Sequence, residues 1–322
     1  MGASISKTPV TLETAAAIVG DAFGDDVSLA GFEELTAGWF NAAHLLTLDD
    51  DQRYVLKVAP PPGVAVLTYE RDIMATEVAA LRLVRHHTSV PVPEVVWSDT
   101  SCRRLPSSLF VMEHCPGTLL SSIRPTLDTD RQRFVDAQLA RYLREMNAIA
   151  SATFGLQAPQ APAFTRWSDA FVHLVDDVLT DGSVMGVELP ASDAELRSLV
   201  RGQLDALDEV TEARFVHWDL WDGNVFVDPT SLAVLGVIDF ERALWGDPLM
   251  EVQFSTRIGD PAFLAAYGEP VSEAPGAVRR RLLYDLYLFL IMVIETAYRH
   301  YPTDDLERFA RQRLAVTLER LR

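Results

Sequence analysis

His217-Trp218-Asp219-Leu220-Trp221-Asp222-Gly223-Asn224 is followed shortly by Val237-Ile238-Asp239-Phe240-Glu241. An Asp, an Asn five positions later and a second Asp at the end of an apolar run make a recognisable chemical set. Asp219 can accept a hydroxyl proton, while Asn224 offers a neutral oxygen and Asp239 a carboxylate, both hard ligands suited to Mg²⁺. Phosphoryl transfer needs this combination, because it proceeds mainly by positioning groups and stabilising charge on the transferred oxygens.

Around this stretch the chain is ordinary in composition. Its 322 residues are 48% hydrophobic and 23% charged, enough to bury a sizeable core in two lobes. Cys102 and Cys115 give neither a disulfide framework nor a zinc spacing, so a cytoplasmic location is expected. The 46 acidic residues outnumber the 28 basic ones, for a formal charge of −18. That surface repels nucleic acid and anionic lipid, so neither is expected as a partner. It serves solubility, or it attracts a cationic small molecule. The longest apolar stretch, Leu282 to Val293, is interrupted by Asp285 and reads as a buried helix.

Leu12, Ala16, Val19 and Phe23 recur at helical spacing before Gly24. Extended runs follow at Phe32 to Leu35, His44 to Leu48 and Tyr54 to Val58, then a Pro-rich break at Pro60-Pro61-Pro62-Gly63. One helix is expected from about Tyr69 to Arg85, then strands at Val95 to Trp97 and Leu109 to Met112. Beyond Pro116-Gly117 the period is helical: Phe134 to Ile149, Trp167 to Leu179, Asp193 to Val210, Val278 to His300 and Leu306 to Leu321. The expectation is an α+β chain, with a strand-rich part at 1–113 and a helical part at 114–322.

The segment from Phe215 to Asp228 resembles the catalytic loop of the aminoglycoside phosphotransferase and choline kinase family, which has the protein-kinase fold. His-x-Asp-x-x-x-x-Asn and the apolar-apolar-Asp-Phe-Glu run match it residue for residue, and Gly246-Asp247-Pro248 also looks like this family. The resemblance implies a small antiparallel-sheet N-lobe that binds nucleotide and a mainly helical C-lobe that binds substrate. ATP or GTP and Mg²⁺ are the implied cofactors, with Asp219 as catalytic residue and Asn224 and Asp239 as metal ligands. Lys57, one of two lysines in the chain, corresponds to the lysine that grips the α- and β-phosphates. Its partner should be a helical Glu: Glu77 matches the family position, and Glu70, earlier on the same expected helix face, is the rival. Gly38, in Thr36-Ala37-Gly38-Trp39-Phe40-Asn41, corresponds to the phosphate-covering loop, although one glycine is a weak signal. Glu113-His114-Cys115 takes the place of the hinge that pairs with adenine, with Met112 beside the base.

His217 reads as an anchor for loop backbone, and Asp222, where relatives often carry Pro, either caps a turn or touches substrate. Glu241 in place of Gly argues against a protein kinase. There is no His-Glu-x-x-His, no Gly-x-Ser-x-Gly and no P-loop. Asp169, Asp176, Asp177, Glu295, Asp304 and Asp305 could meet a cationic substrate or simply face solvent. The resulting expectation is an ATP-dependent O-phosphotransferase acting on a small-molecule hydroxyl, with an aminoglycoside-like antibiotic as acceptor. A kinase of choline, fructosamine, homoserine, a sugar or a nucleoside or peptide antibiotic, or a silent ligand-binding member, are the alternatives.

Overall fold

The computed structural model describes residues 7–36, 40–257, 259–268, 271–299, 301 and 303–322. Helix α1 (Leu12–Phe23) opens the fold, with the Thr11 hydroxyl accepting the Thr14 N–H at its start. Five antiparallel strands follow: β1 (Leu29–Glu34), β2 (Ala42–Leu48), β3 (Arg53–Val58), β4 (Val95–Asp99) and β5 (Leu109–Glu113). They form one sheet in the order β1-β2-β3-β5-β4. Helix α2 (Ile73–His87) joins β3 to β4 and lies against the turn at Phe240–Arg242. From Thr118 onward the chain is mostly helical, with two small sheets set among the helices. This is a two-lobed α+β kinase-like architecture.

Alternation along β3 decides where Lys57 goes. Leu56 and Val58 are fully buried with α1 on the outer face of the sheet, so Lys57 between them is turned to the opposite face. That inner face continues into the second lobe without a gap. Val55, Phe110 and Met112 share a core with Val78 of α2 and with Leu139, Phe215, Val237 and Phe240. The lobes are therefore joined by packed apolar surface as well as by polar contacts.

Two expected helices are interrupted. The helix expected from Tyr69 begins at Ile73 instead, preceded by a 3₁₀ turn at Thr68–Glu70 and by Asp72 in a left-handed conformation (φ 57°). The Glu70 carboxylate turns back to accept the Leu67 N–H (2.8 Å), and Leu67 is buried in the core of the helical lobe. A continuing helix would pull both away. The stretch from Asp193 to Val210 divides at Gly202 into Asp193–Arg201 and Leu204–Leu207, glycine being a poor helix former. The other long helices lie at Thr129–Asn147, Trp167–Val184, Pro275–Arg299 and Asp305–Leu321.

Candidate active site

The two motif segments sit at neighbouring strand ends. Residues 217–224 connect Ala213–Val216 to Val225–Val227, and Asp239 follows Val234–Val237, which pairs with Val225–Val227. The Ile238 N–H donates to the Asn224 carbonyl at 3.0 Å, tying one loop to the other. Both loops depart from ordinary backbone geometry. Trp218 (φ 60°) and Asp239 (φ 68°) are left-handed, a conformation costing on the order of 1–3 kcal/mol for a non-glycine residue. Something must hold each one there.

Glu251 holds the first. It is buried, and its two oxygens accept the His217 N–H (2.8 Å) and the Trp218 N–H (3.0 Å), with Asn147 Nδ2 donating to it at 3.2 Å. Burial pushes its pKa up to about 7 against those hydrogen bonds. The Trp218 ring stacks on Tyr287 at 5.1 Å. His217 Nδ1 accepts the Asp219 N–H (3.1 Å), so the ring proton is on Nε2, 3.3 Å from the Ile238 carbonyl. Burial lowers this imidazole to about 4, so it is neutral and serves as an anchor.

Asp219 is half-buried, and burial raises its carboxyl to about 7, opposed by Arg242 and reinforced by Asp239, Glu241 and Glu295. Asn224 Nδ2 donates to the Asp219 carbonyl (2.9 Å) and carboxylate (3.2 Å), which leaves the amide oxygen as the atom turned from Asp219.

Lys57 holds the second left-handed residue. Its ammonium donates to Glu77 Oε2 and Asp239 Oδ1, both at 2.6 Å, and to Glu241 Oε2 at 3.2 Å. Burial works against the Lys57 charge, but the three carboxylates outweigh it and hold its pKa well above the usual lysine range. Burial likewise pushes Asp239 upward, and Lys57 more than reverses that. Glu77, fully buried with Oε1 unpartnered, is raised to about 8 despite Lys57. Three carboxylates against one ammonium leave this cluster short of positive charge. Among the described residues, Glu77, Asp239 and Glu241 offer carboxylate oxygens within 4.8 Å of one another, a donor set that suits a hard divalent cation.

Glu70 is not beside Lys57. It pairs with Arg299 of the helix Pro275–Arg299, which also bonds Glu295 at 3.6 Å and lies over the Phe40 ring at 4.7 Å. Gly38 lies outside the described residues. At the expected hinge, Met112 is buried in the interlobe core, and the Glu113 N–H donates to the Glu94 carbonyl at 2.9 Å. Cys115 is buried, its thiol pushed up to about 12, and a Cβ on Gly236 would lie 2.6 Å from its sulfur. Asp222 is ion-paired with Arg124. Asp247 is structural, accepting from Arg280 Nε (2.8 Å) and the Tyr284 hydroxyl (2.7 Å). Of the acidic candidates for the acceptor, Asp176 is bound to Arg197 and Arg201, and Asp305 to Arg308. Glu295 acts electrostatically on Asp219, and it pairs with Arg242 at 3.2 Å.

Three site residues escaped the sequence reading. Glu251 lies just past Gly246-Asp247-Pro248, and nothing in its local pattern shows that it turns back to residues 217–218. Arg242 lies 5.8 Å from the Trp218 ring and 5.6 Å from the Tyr69 ring. Asn41 donates to Glu241 Oε2 at 2.7 Å, and its own Oδ1 is buried with no partner among the described residues. Glu241 thereby grips both Lys57 and the strand after the expected phosphate loop.

A strand-borne lysine clasped by a helical glutamate, facing an Asp-Asn-Asp set across a lobe interface, defines the kinase-like class of phosphotransferases. Residues 31–284 match the model of the Phosphotransferase enzyme family, the aminoglycoside phosphotransferase group, and the chain belongs to that family. A protein provisionally assigned as a fructosamine-3-kinase of Thermobifida fusca superposes with a TM-score of 0.67 at 19% identity, over 96% of this chain and 100% of that one. The GDP complex of wild-type aminoglycoside 2'-phosphotransferase-IIIa gives 0.65 at 17%, over 97% and 99%. A thermostable mutant of the aminoglycoside phosphotransferase APH(4)-Ia, in ternary complex with AMP-PNP and hygromycin B, gives 0.64 at 17%, over 95% and 98%. At such identities the likeness is one of fold. The Arabidopsis thaliana protein IBR3, which bears an acyl-CoA dehydrogenase name, is 24% identical over 210 residues, 63% of this chain and 24% of that protein. Acyl-CoA dehydrogenase family member 10 of Mus musculus is 23% identical over 170 residues, 52% and 15% respectively. The chain thus spans a quarter or less of the curated relatives it matches.

Proposed function

We propose that the chain transfers the terminal phosphoryl group of ATP, or GTP, to a hydroxyl of a small cationic acceptor, with Asp219 receiving the hydroxyl proton. The observation that carries this reading is the meeting of Lys57 with Glu77 and Asp239, each at 2.6 Å, beside a half-buried Asp219 tethered to Asn224. Lys57 neutralises phosphate charge, and Glu77 fixes its direction. Asp219 orients the hydroxyl and takes its proton as the new O–P bond forms and the bond to the leaving diphosphate breaks. Asp239 and Asn224 would hold Mg²⁺, with Glu241 and the unpartnered Glu77 oxygen nearby, and the cation would neutralise the β- and γ-phosphate oxygens. In the same reading, residues 1–113 bind nucleotide, with Met112, Glu113 and Cys115 along the base and Gly38 over the phosphates. Residues 114–322 supply the catalytic loop and the acceptor site.

An aminoglycoside-like acceptor, inactivated in the cytoplasm as a resistance or self-protection reaction, agrees with the formal charge of −18. The test is a Mg²⁺-ATP turnover screen across aminoglycosides, amino-alcohols and sugars, repeated with Asp219→Ala. Loss of the base should lower kcat by about 10²–10⁴-fold and leave AMP-PNP binding intact. Near-normal turnover by the variant would overturn the assignment.

A further inference from the structure

Trp221 lies within the catalytic turn, two residues after Asp219, and its side chain is 52% exposed. Large aromatic side chains contribute most when covered, and this exposed indole is carried on the same short turn as Asp219. The backbone beneath it is fixed on every side. The Trp221 N–H donates to the Asp219 carbonyl (3.1 Å), and the Trp221 carbonyl accepts the Asn224 N–H (2.9 Å). Asp222 is ion-paired with Arg124, which bonds Asp136 at 2.9 Å, and Asp136 is paired in turn with Arg257. Gly223 completes the arrangement, since a Cβ there would collide with the indole ring. A glycine is needed so that the ring can lie down over the turn.

Position argues for the acceptor as the covering group. The adenine end of the site lies at Met112 and Glu113, and the phosphate end at Lys57 with Asp239. The acceptor must arrive at Asp219, and the turn that carries Asp219 also carries the indole. We infer that Trp221 is the platform on which the carbon face or cationic group of the acceptor lies while its hydroxyl meets Asp219. This inference rests on the phosphotransfer reading above and adds a specificity-determining contact to it. An indole accepts either the C–H face of a ring or an ammonium, and its preference for a cation over a neutral isostere is the signature of the second mode.

The experiment compares the wild type with Trp221→Leu and Trp221→Phe on matched acceptors: choline against 3,3-dimethyl-1-butanol, and glucosamine against glucose, with kanamycin as a larger amine. Acceptor KM, nucleotide KM and kcat are measured separately, and Mg²⁺-AMP-PNP binding is measured alongside. Trp221→Leu should raise the KM of the best acceptor about tenfold, change nucleotide KM less than twofold, and leave kcat within about threefold. Trp221→Phe should recover most of the loss, and any amine preference should shrink toward unity in Trp221→Leu. An unchanged acceptor KM in Trp221→Leu, or a rise confined to nucleotide KM, overturns the platform, as does a wild type that binds Mg²⁺-AMP-PNP yet phosphorylates no member of the panel. Failure of the wild type to bind Mg²⁺-AMP-PNP would instead sink the phosphotransfer reading itself.

Discussion

Glu251 touches no reacting group, yet the geometry makes activity depend on it. Replacing it with Gln keeps the size and one acceptor oxygen but puts an NH₂ where the second oxygen stood. Oε1 faces the His217 N–H at 2.8 Å and Oε2 the Trp218 N–H at 3.0 Å, so one buried donor is left facing another donor. A charge-assisted bond of this kind contributes about 1.5–3 kcal/mol, and stranding a buried N–H costs about 1–3 kcal/mol. Against this, the native carboxylate is itself expensive to bury, as its rise to about 7 shows, and Gln removes that cost. The balance is a destabilisation of about 1–3 kcal/mol, or roughly 1.5–4.5 °C in Tm for a chain of 322 residues. The larger effect should fall on catalysis. Trp218 holds a left-handed φ of 60° with its N–H gripped by Glu251 and its ring stacked on Tyr287, and losing the first restraint should displace Asp219, the next residue. Displacing a catalytic group by about 1 Å can cost about 10²-fold. Thermal melts and kcat at saturating ATP and acceptor check both parts. A Glu251→Gln enzyme within 0.5 °C and twofold of wild type would refute the claim that this carboxylate sets the loop.

The pH profile follows from Asp219. Its pKa is raised by burial to about 7, so the fraction of ionised base falls as the medium becomes more acid, and log kcat/KM should drop with unit slope below about pH 7. Initial rates from pH 5.5 to 9 at constant ionic strength test this, and a profile flat down to pH 5.5 would contradict it. Arg299→Leu should cost about 3–5 kcal/mol in urea denaturation, because it leaves the buried Glu70 without its cation, and Glu70→Gln in the same chain should restore part of that loss.

What could be read from the sequence had a local cause. The β3 alternation placed Lys57 on one face of a strand, and helical period marked the long helices of the second lobe. Asp219 and Asn224 are only five residues apart on one loop, so their meeting is a local matter once that loop is held in shape. Gly202 and the Leu67–Glu70 turn broke expected helices for a different reason. Propensity along a helix says little about a carboxylate that bonds back three residues to Leu67 N–H and outward to Arg299. Glu70 stands as a rival to Glu77 for Lys57 only if one continuous helix carries both. The left-handed Asp72 between them separates the two, so that one faces Lys57 and the other faces the second lobe.

The remaining residues were hidden because their partners are remote in sequence. Asn41 meets Glu241 across 200 positions, and Glu251 meets His217 across 34. These contacts have a common form, in which a buried carboxylate of the helical lobe holds side chains or backbone of the site from far along the sequence. Glu251 restrains the loop bearing Asp219, and Glu241 holds Lys57 and Asn41 together. A family pattern can tolerate Glu at position 241 without revealing why it is there. The structure supplies a reason: the carboxylate accepts from both Asn41 and Lys57 of the sheet, joining them to the turn that follows Asp239. In the proposed reaction the nucleotide phosphates would compete with Glu241 for Lys57, which would couple their binding to the contact between the two lobes.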